Sequence, residues 1–320
     1  MARSSQASPQ RVVRIGTRGS KLALVQAGLI QRQIAAALGA SAADAEKVAP
    51  LVRITTTGDR VQDRRLMEIG GKGLFTKEIE AALLENRIDC AVHSLKDMPA
   101  ELPAGLVIGA VPEREDPRDA FVSHEAETLD ALPQGAVLGT ASLRRQAQSL
   151  HRRPDLKLVN LRGNVDTRLA KLEAGEADAI ILAVAGLRRL GLQHLARISI
   201  DPIDAPPAPG QGALAVEVRA DDANAAWLAA LTHAPTELAV AAERGALAAL
   251  EGSCKTAIGA HAWLDGARLY LVVEALTPDG ARRFRRQDAA DVGGDAAAAR
   301  AFGRRIGDAI CDEAGDALFF

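Results

Sequence analysis

Short β-branched runs alternate with amphipathic stretches over the first two thirds of the chain. Residues 12–15, 51–55 and 88–92 read as strands, while 20–38 and 76–84 carry apolar positions at helical spacing. The second of these helices opens on Thr76 as an expected cap, with Glu78 and Glu80 near the positive end of its dipole. The pattern then recurs, with strands at 136–138, 157–160 and 179–183 and helices at 143–150 and 165–173. Ile15-Gly16-Thr17-Arg18-Gly19-Ser20 echoes Leu138-Gly139-Thr140-Ala141-Ser142, each joining a strand to a helix. Leu84-Glu85 followed by Asp89-Cys90-Ala91 echoes Leu172-Glu173 followed by Asp178-Ala179-Ile180, in the same order. The pattern predicts two similar α/β lobes with mostly parallel strands.

Two segments break the alternation. Residues 112–117 are charged and flanked by prolines, and residues 201–212 hold four prolines and two glycines, so neither forms a regular element. Two such crossings imply that the chain leaves lobe one, builds lobe two and returns, with 213–218 as a strand rejoining lobe one. Ligands in such folds sit in the crevice beyond the carboxyl ends of the strands. From about Pro235 the pattern changes to a helix at 236–250, strands at 257–264, 269–275 and 282–287 with an Asp265-Gly266 hairpin, and a helix at 296–313. The expected division is lobe one at 1–112 and 213–232, lobe two at 113–212, and a small α+β domain at 233–320. Residues 57–73 are rich in charge and glycine with little apolar periodicity, and read as a mobile loop near the cleft mouth.

Composition narrows the function classes. Hydrophobic residues make up 48% and charged residues 25%, which excludes wholesale disorder and fibrous repeats. Lys+Arg minus Asp+Glu is 39 − 41, or −2, so no global charge draws the chain to nucleic acid or an anionic membrane. Aromatics at 3% leave few stacking platforms for bases. The longest apolar run, 179–187, is shorter than the roughly 20 residues a membrane helix needs. Residues 1–10 are polar and lack the apolar core of a signal peptide, so a frayed tail on a cytoplasmic chain is expected. Cys90, Cys254 and Cys311 are odd in number and far apart, which suits a reducing compartment better than a disulfide framework.

Four constellations carry candidate chemistry. At the two strand–helix junctions, Thr17, Ser20, Thr140 and Ser142 lie beside free amide groups, which serves either helix capping or the binding of a carboxylate or phosphate. Arginines are dense: Arg18 lies in the first junction, while Arg144 and Arg145 open the helix after the second, the wrong end for a cation on dipole grounds. With Arg162 and Arg168, the stretch 141–168 holds seven Lys/Arg against Asp155 and Asp166, suiting a polyanionic ligand; Arg152 and Arg153 suit a solvated face instead. His93-Ser94-Leu95-Lys96-Asp97 lands at a strand's carboxyl end, where Asp97 is a poised acid/base or a local ion pair. Cys254 sits in a small-residue loop beside Lys255, which favours a nucleophilic thiolate, whereas Cys90 reads as core. Cys90 and His93 have C-x-x-H spacing without a second ligand pair, so no metal is expected. Residues 70–73 do not make a P-loop.

In order, these motifs resemble the porphobilinogen deaminase (hydroxymethylbilane synthase) family. The resemblance runs through Gly71-Lys72-Gly73-Leu74-Phe75, Leu161-Arg162-Gly163-Asn164, Ala185-Gly186-Leu187-Arg188-Arg189, Pro209-Gly210-Gln211-Gly212 and Glu251-Gly252-Ser253-Cys254. It implies two periplasmic-binding-protein-like lobes with a cleft, plus a small α+β domain. It further implies head-to-tail condensation of four porphobilinogen molecules with loss of ammonia, in tetrapyrrole biosynthesis. Growth would start on a dipyrromethane cofactor held by a thioether from Cys254. Asp97 matches the family's catalytic aspartate. Ser94, Lys96, Thr140, Ser142, Arg144, Arg145 and Arg168 match cofactor-binding positions. Arg18, Ser20, Arg162, Arg189 and Gln211 match substrate-binding ones, and Lys72 and Phe75 fall in the mobile loop. A cytoplasmic monomer without nucleic-acid or membrane partners is expected. The family's cysteine loop often reads Gly-Gly-Cys with a later Pro; here Ser253 and Ala257 stand in those places. The competing class is a non-enzymatic anion receptor, which requires neither Cys254 nor Asp97.

Overall fold

A computed structural model describes residues 12–60, 73–250 and 256–318. Two five-stranded sheets share one plan. The first is ordered β2 (Leu51–Arg53), β1 (Ile15–Thr17), β3 (Cys90–Ser94), β10 (Leu214–Arg219), β4 (Leu106–Ala110). The second is ordered β7 (Lys157–Val159), β6 (Val137–Gly139), β8 (Ala179–Ala183), β5 (Asp119–Ser123), β9 (Ile198–Ser199). In each, three strands run parallel, the fourth is antiparallel, and the fifth pairs only with that fourth strand. The antiparallel member is supplied by a crossing: the chain enters lobe two as β5 and returns to lobe one as β10. β3 and β8 are buried along nearly their whole length, as strands covered by helices on both faces must be.

The helical expectations hold closely. Lys21–Ala37, Leu143–Arg152 and Val165–Glu173 form where the apolar spacing puts them. Ser20 and Ser142 do cap their helices, accepting from the amides of Ala23 at 3.3 Å and Arg145 at 3.5 Å. The expected Thr76 cap is corrected: helix Lys77–Leu84 has no side-chain cap there, and Glu78 instead accepts from the amide of Thr57 at 2.9 Å. Residues 57–60 of the expected loop are a helical turn, with Gly58 lying beneath the Phe75 ring; most of that loop falls outside the described residues. The first strand is shifted to Ile15–Thr17, because pairing with both Leu51 and Cys90 begins only at Ile15.

The third sheet is an antiparallel meander, β11 (Ala257–Asp265), β12 (Arg268–Leu276) and β13 (Arg283–Asp291), with Gly266 turning the first hairpin at φ +59°. Helices Ala234–Leu250 and Ala296–Ala314 cover one face and share a core with Leu269, Leu271, Phe302 and Ile306.

The crossings touch each other. The Glu115 amide donates to the Gly212 carbonyl at 3.3 Å, and a Cβ on Gly212 would lie 2.2 Å from the Glu115 oxygen. Gly212 also has φ +88°, which side-chain-bearing residues rarely adopt. Gly212→Ala is therefore expected to cost about 1–3 kcal/mol for the backbone conformation alone, with the steric overlap in addition. An unchanged denaturation midpoint would contradict this crowding. Beside the contact, the buried Glu243 carboxylate binds Arg114 of the outbound crossing at 2.7 and 3.0 Å, the Gly210 amide of the return crossing at 2.7 Å, and the Ala262 amide of β11 at 2.8 Å.

Candidate active site

The polar face of the cleft is assembled from strand ends. After β3 the chain turns through a short 3₁₀ segment, Leu95–Asp97, because Leu95 is buried while its neighbours point outward. Ser94 is oriented by Gln26, whose amide donates to its hydroxyl at 2.9 Å. Lys96 is half-buried and donates to Gln211 Oε1 at 3.1 Å. Asp97 is exposed.

Lobe two supplies guanidiniums. Arg168 donates through Nε to the Gly163 carbonyl at 2.8 Å, and Arg189 donates to the Gly212 carbonyl at 2.7 Å. Burial depresses Arg168 to about 10, Arg145 and Arg162 add to this, and Asp97 opposes it. Burial likewise pushes Lys96 down to about 8; Arg145 and Arg144 deepen the shift, while Asp97 and Asp119 resist it. The Asp97 carboxylate thus acts on cations of both lobes, Lys96 from one and Arg168 from the other.

Arg144 and Arg145 are not open to solvent. Both are buried and reach the buried Asp119, at 2.8 and 2.7 Å. Arg145 also donates to the Ile181 carbonyl, and Arg144 to Gln148 and the Pro206 carbonyl. Their position at a helix N-terminus is offset by this carboxylate, which the two guanidiniums hold well below its usual range against the effect of burial. Thr140 is buried and turns its hydroxyl to the Ser142 amide at 3.1 Å. Arg18 pairs with Asp59 and lies 4.1 Å over the Phe75 ring. Arg152 pairs with Asp130, and Arg153 ties down Asp155 and the carbonyls of Leu129, Asp130, Leu132 and Pro133.

The remaining candidates separate. Cys90 is fully buried and burial drives its thiol pKa upward, as a core residue requires. His93 turns to Glu217 at 3.0 Å inside lobe one. Cys254 and Lys72 lie outside the described residues. Among the described residues, no group of three His, Cys, Asp or Glu side chains is set to hold a metal ion, and no single helix is long and apolar enough to cross a membrane.

The pattern in the sequence missed Asp119, Asp59 and Gln26. Asp119 is the one charge at the head of an otherwise apolar strand, and that is the signal that singles it out. As a set, the half-buried Lys96 and Arg168, whose charges Asp97 acts on, suit a ligand bearing carboxylates.

The chain matches the family model for porphobilinogen deaminase, dipyromethane cofactor binding domain, over residues 13–226. It also matches the model for the porphobilinogen deaminase C-terminal domain over residues 237–312. A porphobilinogen deaminase of Phenylobacterium zucineum (strain HLK1) is 67% identical over 315 residues, 97% of this chain and 98% of that protein. One of Caulobacter vibrioides (strain NA1000 / CB15N) is 67% identical over 317 residues, again 97% and 98%. Among solved structures, a periplasmic substrate-binding protein of an ABC transporter from Coxiella burnetii is 17% identical with a TM-score of 0.43, over 74% of this chain and 97% of that one.

Proposed function

Because the chain belongs to the porphobilinogen deaminase family, and is thus a transferase of porphyrin biosynthesis acting on porphobilinogen, we propose that Cys254 anchors its dipyrromethane cofactor and that Asp97 is its catalytic carboxylate. The reading is supported by the exposure of Asp97 and by its charge, which acts on both the Lys96 ammonium and the Arg168 guanidinium.

The dipyrromethane, when bound, supplies a covalently held pyrrole end onto which substrate units are added. Cys254 lies between the end of helix Ala234–Leu250 and β11, and holds it by a thioether. Ser94, Lys96, Thr140, Ser142, Arg144, Arg145 and Arg168 form its binding face. Guanidiniums and the Lys96 ammonium take the acetate and propionate groups, and the buried hydroxyl and amide groups fix their orientation. Arg18, Ser20, Arg162, Arg189 and Gln211 receive the incoming porphobilinogen, with Lys72 and Phe75 assigned to the family's mobile loop. Loss of ammonia puts positive charge on the pyrrole nitrogen, which a fixed Asp97 carboxylate stabilises while serving the proton transfers. The division into lobe one at 1–112 and 213–232, lobe two at 113–212 and a third domain at 233–320 assigns the anchor to the third domain and the carboxylate-binding face to the first two. A cytoplasmic monomer completes the reading.

The test is intact mass and peptide mapping of the purified protein. Extra mass equal to two deaminated porphobilinogen units on the Cys254 peptide is expected, with none on Cys254→Ser, which should also lose turnover. Full turnover by the serine variant would sink the anchor assignment.

A further inference from the structure

We propose that Asp119 is a positioning residue for the carboxylate-binding face, fixing Arg144 and Arg145 directly and the Lys96 amine through Gln211. The proposal rests on the assignment of those three cations to cofactor binding. Asp119 opens β5, the first strand of lobe two, and is 3% exposed. Its Oδ1 accepts from Arg145 at 2.7 Å and from Gln211 Nε2 at 2.9 Å, while its Oδ2 lies 2.8 Å from Arg144. The other end of the Gln211 amide accepts from Lys96 at 3.1 Å, and Gln211 is itself buried on the return crossing. One carboxylate is therefore tied to three cations of the two lobes, to Arg144 and Arg145 directly and to Lys96 through the Gln211 amide of the crossing.

A purely stabilising ion pair needs one carboxylate and one cation. Here two guanidiniums share one carboxylate, so the cluster keeps a net positive charge after its internal pairing. Without Asp119 the two adjacent guanidiniums would repel each other, and both would lose the oxygen that sets their planes. The groups facing Lys96 are Arg144 and Arg145 from helix Leu143–Arg152, Asp119 from β5, and Asp97 from its own turn. Asp97 and Asp119 are the two that keep the ammonium charged, so loss of Asp119 lets it deprotonate at lower pH.

The experiment is Asp119→Asn in the cofactor-loaded enzyme, read by the pH profile of kcat/KM and by NMR titration of the Lys96 side chain. The wild type is expected to lose kcat/KM as the Lys96 ammonium deprotonates, at a pH above the value of about 8 that burial sets in the unliganded chain, because bound carboxylates favour the charged form. In Asp119→Asn that limb and the Lys96 titration should both move down by about one pH unit. Asp119→Glu should restore the limb. If the asparagine variant does not fold, Gln211→Met removes the bridge to Lys96, along with the bonds to the Pro117 and Arg118 carbonyls, while leaving Asp119 on both guanidiniums, and should shift both readouts the same way by less. A folded variant with an unmoved limb and unmoved Lys96 titration overturns the proposal and leaves Asp119 a stability group. A moved titration with an unmoved limb overturns it differently, by removing Lys96 from the binding face; Asp97→Asn turnover then decides whether the wider reading survives.

Discussion

Asp97→Asn is expected to cut turnover by about a hundred- to ten-thousand-fold while the protein still folds and still carries its tethered pyrroles. The substitution removes charge but keeps shape. Asp97 is exposed, at the end of a short turn rather than in a packed core, so its loss disturbs little of the fold. Its chemical part is different: an amide neither stabilises a cationic pyrrole nitrogen nor takes its proton. Intact mass should show the cofactor in place, and single-turnover measurement should show slow loss of ammonia. Wild-type turnover in the variant would remove Asp97 from the chemistry. Loss of the tethered mass would mean instead that Asp97 is needed to build the cofactor.

The second large effect is on stability. Glu243→Ala should lower unfolding free energy by about 3–5 kcal/mol, the cost of stranding a buried charge. The alanine leaves the nearly buried Arg114 guanidinium unpaired and takes the acceptor from the amides of Gly210 and Ala262. The thermal midpoint should fall by on the order of 10 °C. Glu243→Gln keeps one acceptor oxygen and should lose less. Arg114→Met together with Glu243→Leu should recover part of the loss, since no charge is then stranded. A midpoint within a degree of wild type for Glu243→Ala would show that the three segments do not depend on this carboxylate.

Local elements were legible because local spacing causes them. Helix Val165–Glu173 and strand β8 lie where the apolar positions put them. The return of the chain as β10 was legible too, from the prolines that precede it. β4 escaped because its burial is mixed and prolines stand close on either side; β9, with two residues, has no period to read. In the candidate site the cations were visible and their partners were not. Counting charge over 141–168 makes Arg144 and Arg145 look unpaired, yet the carboxylate they share lies 26 residues before Arg145. Glu243 looks like an ordinary helix residue, although it meets partners 129, 33 and 19 residues away. Long-range pairing of this kind leaves no periodic trace.

The exchange of strands between the lobes also dictates an order of assembly. Lobe two draws all five of its strands from one unbroken stretch, β5 to β9. Lobe one does not: β4 is hydrogen-bonded only to β10, which lies more than a hundred residues downstream. During synthesis the first lobe to leave the ribosome is therefore the last to close. Until β10 arrives, β3 and β4 present open edges of the kind that invite pairing with other chains. Lobe two, synthesised later, completes its sheet first and hands back the strand that lobe one has been waiting for.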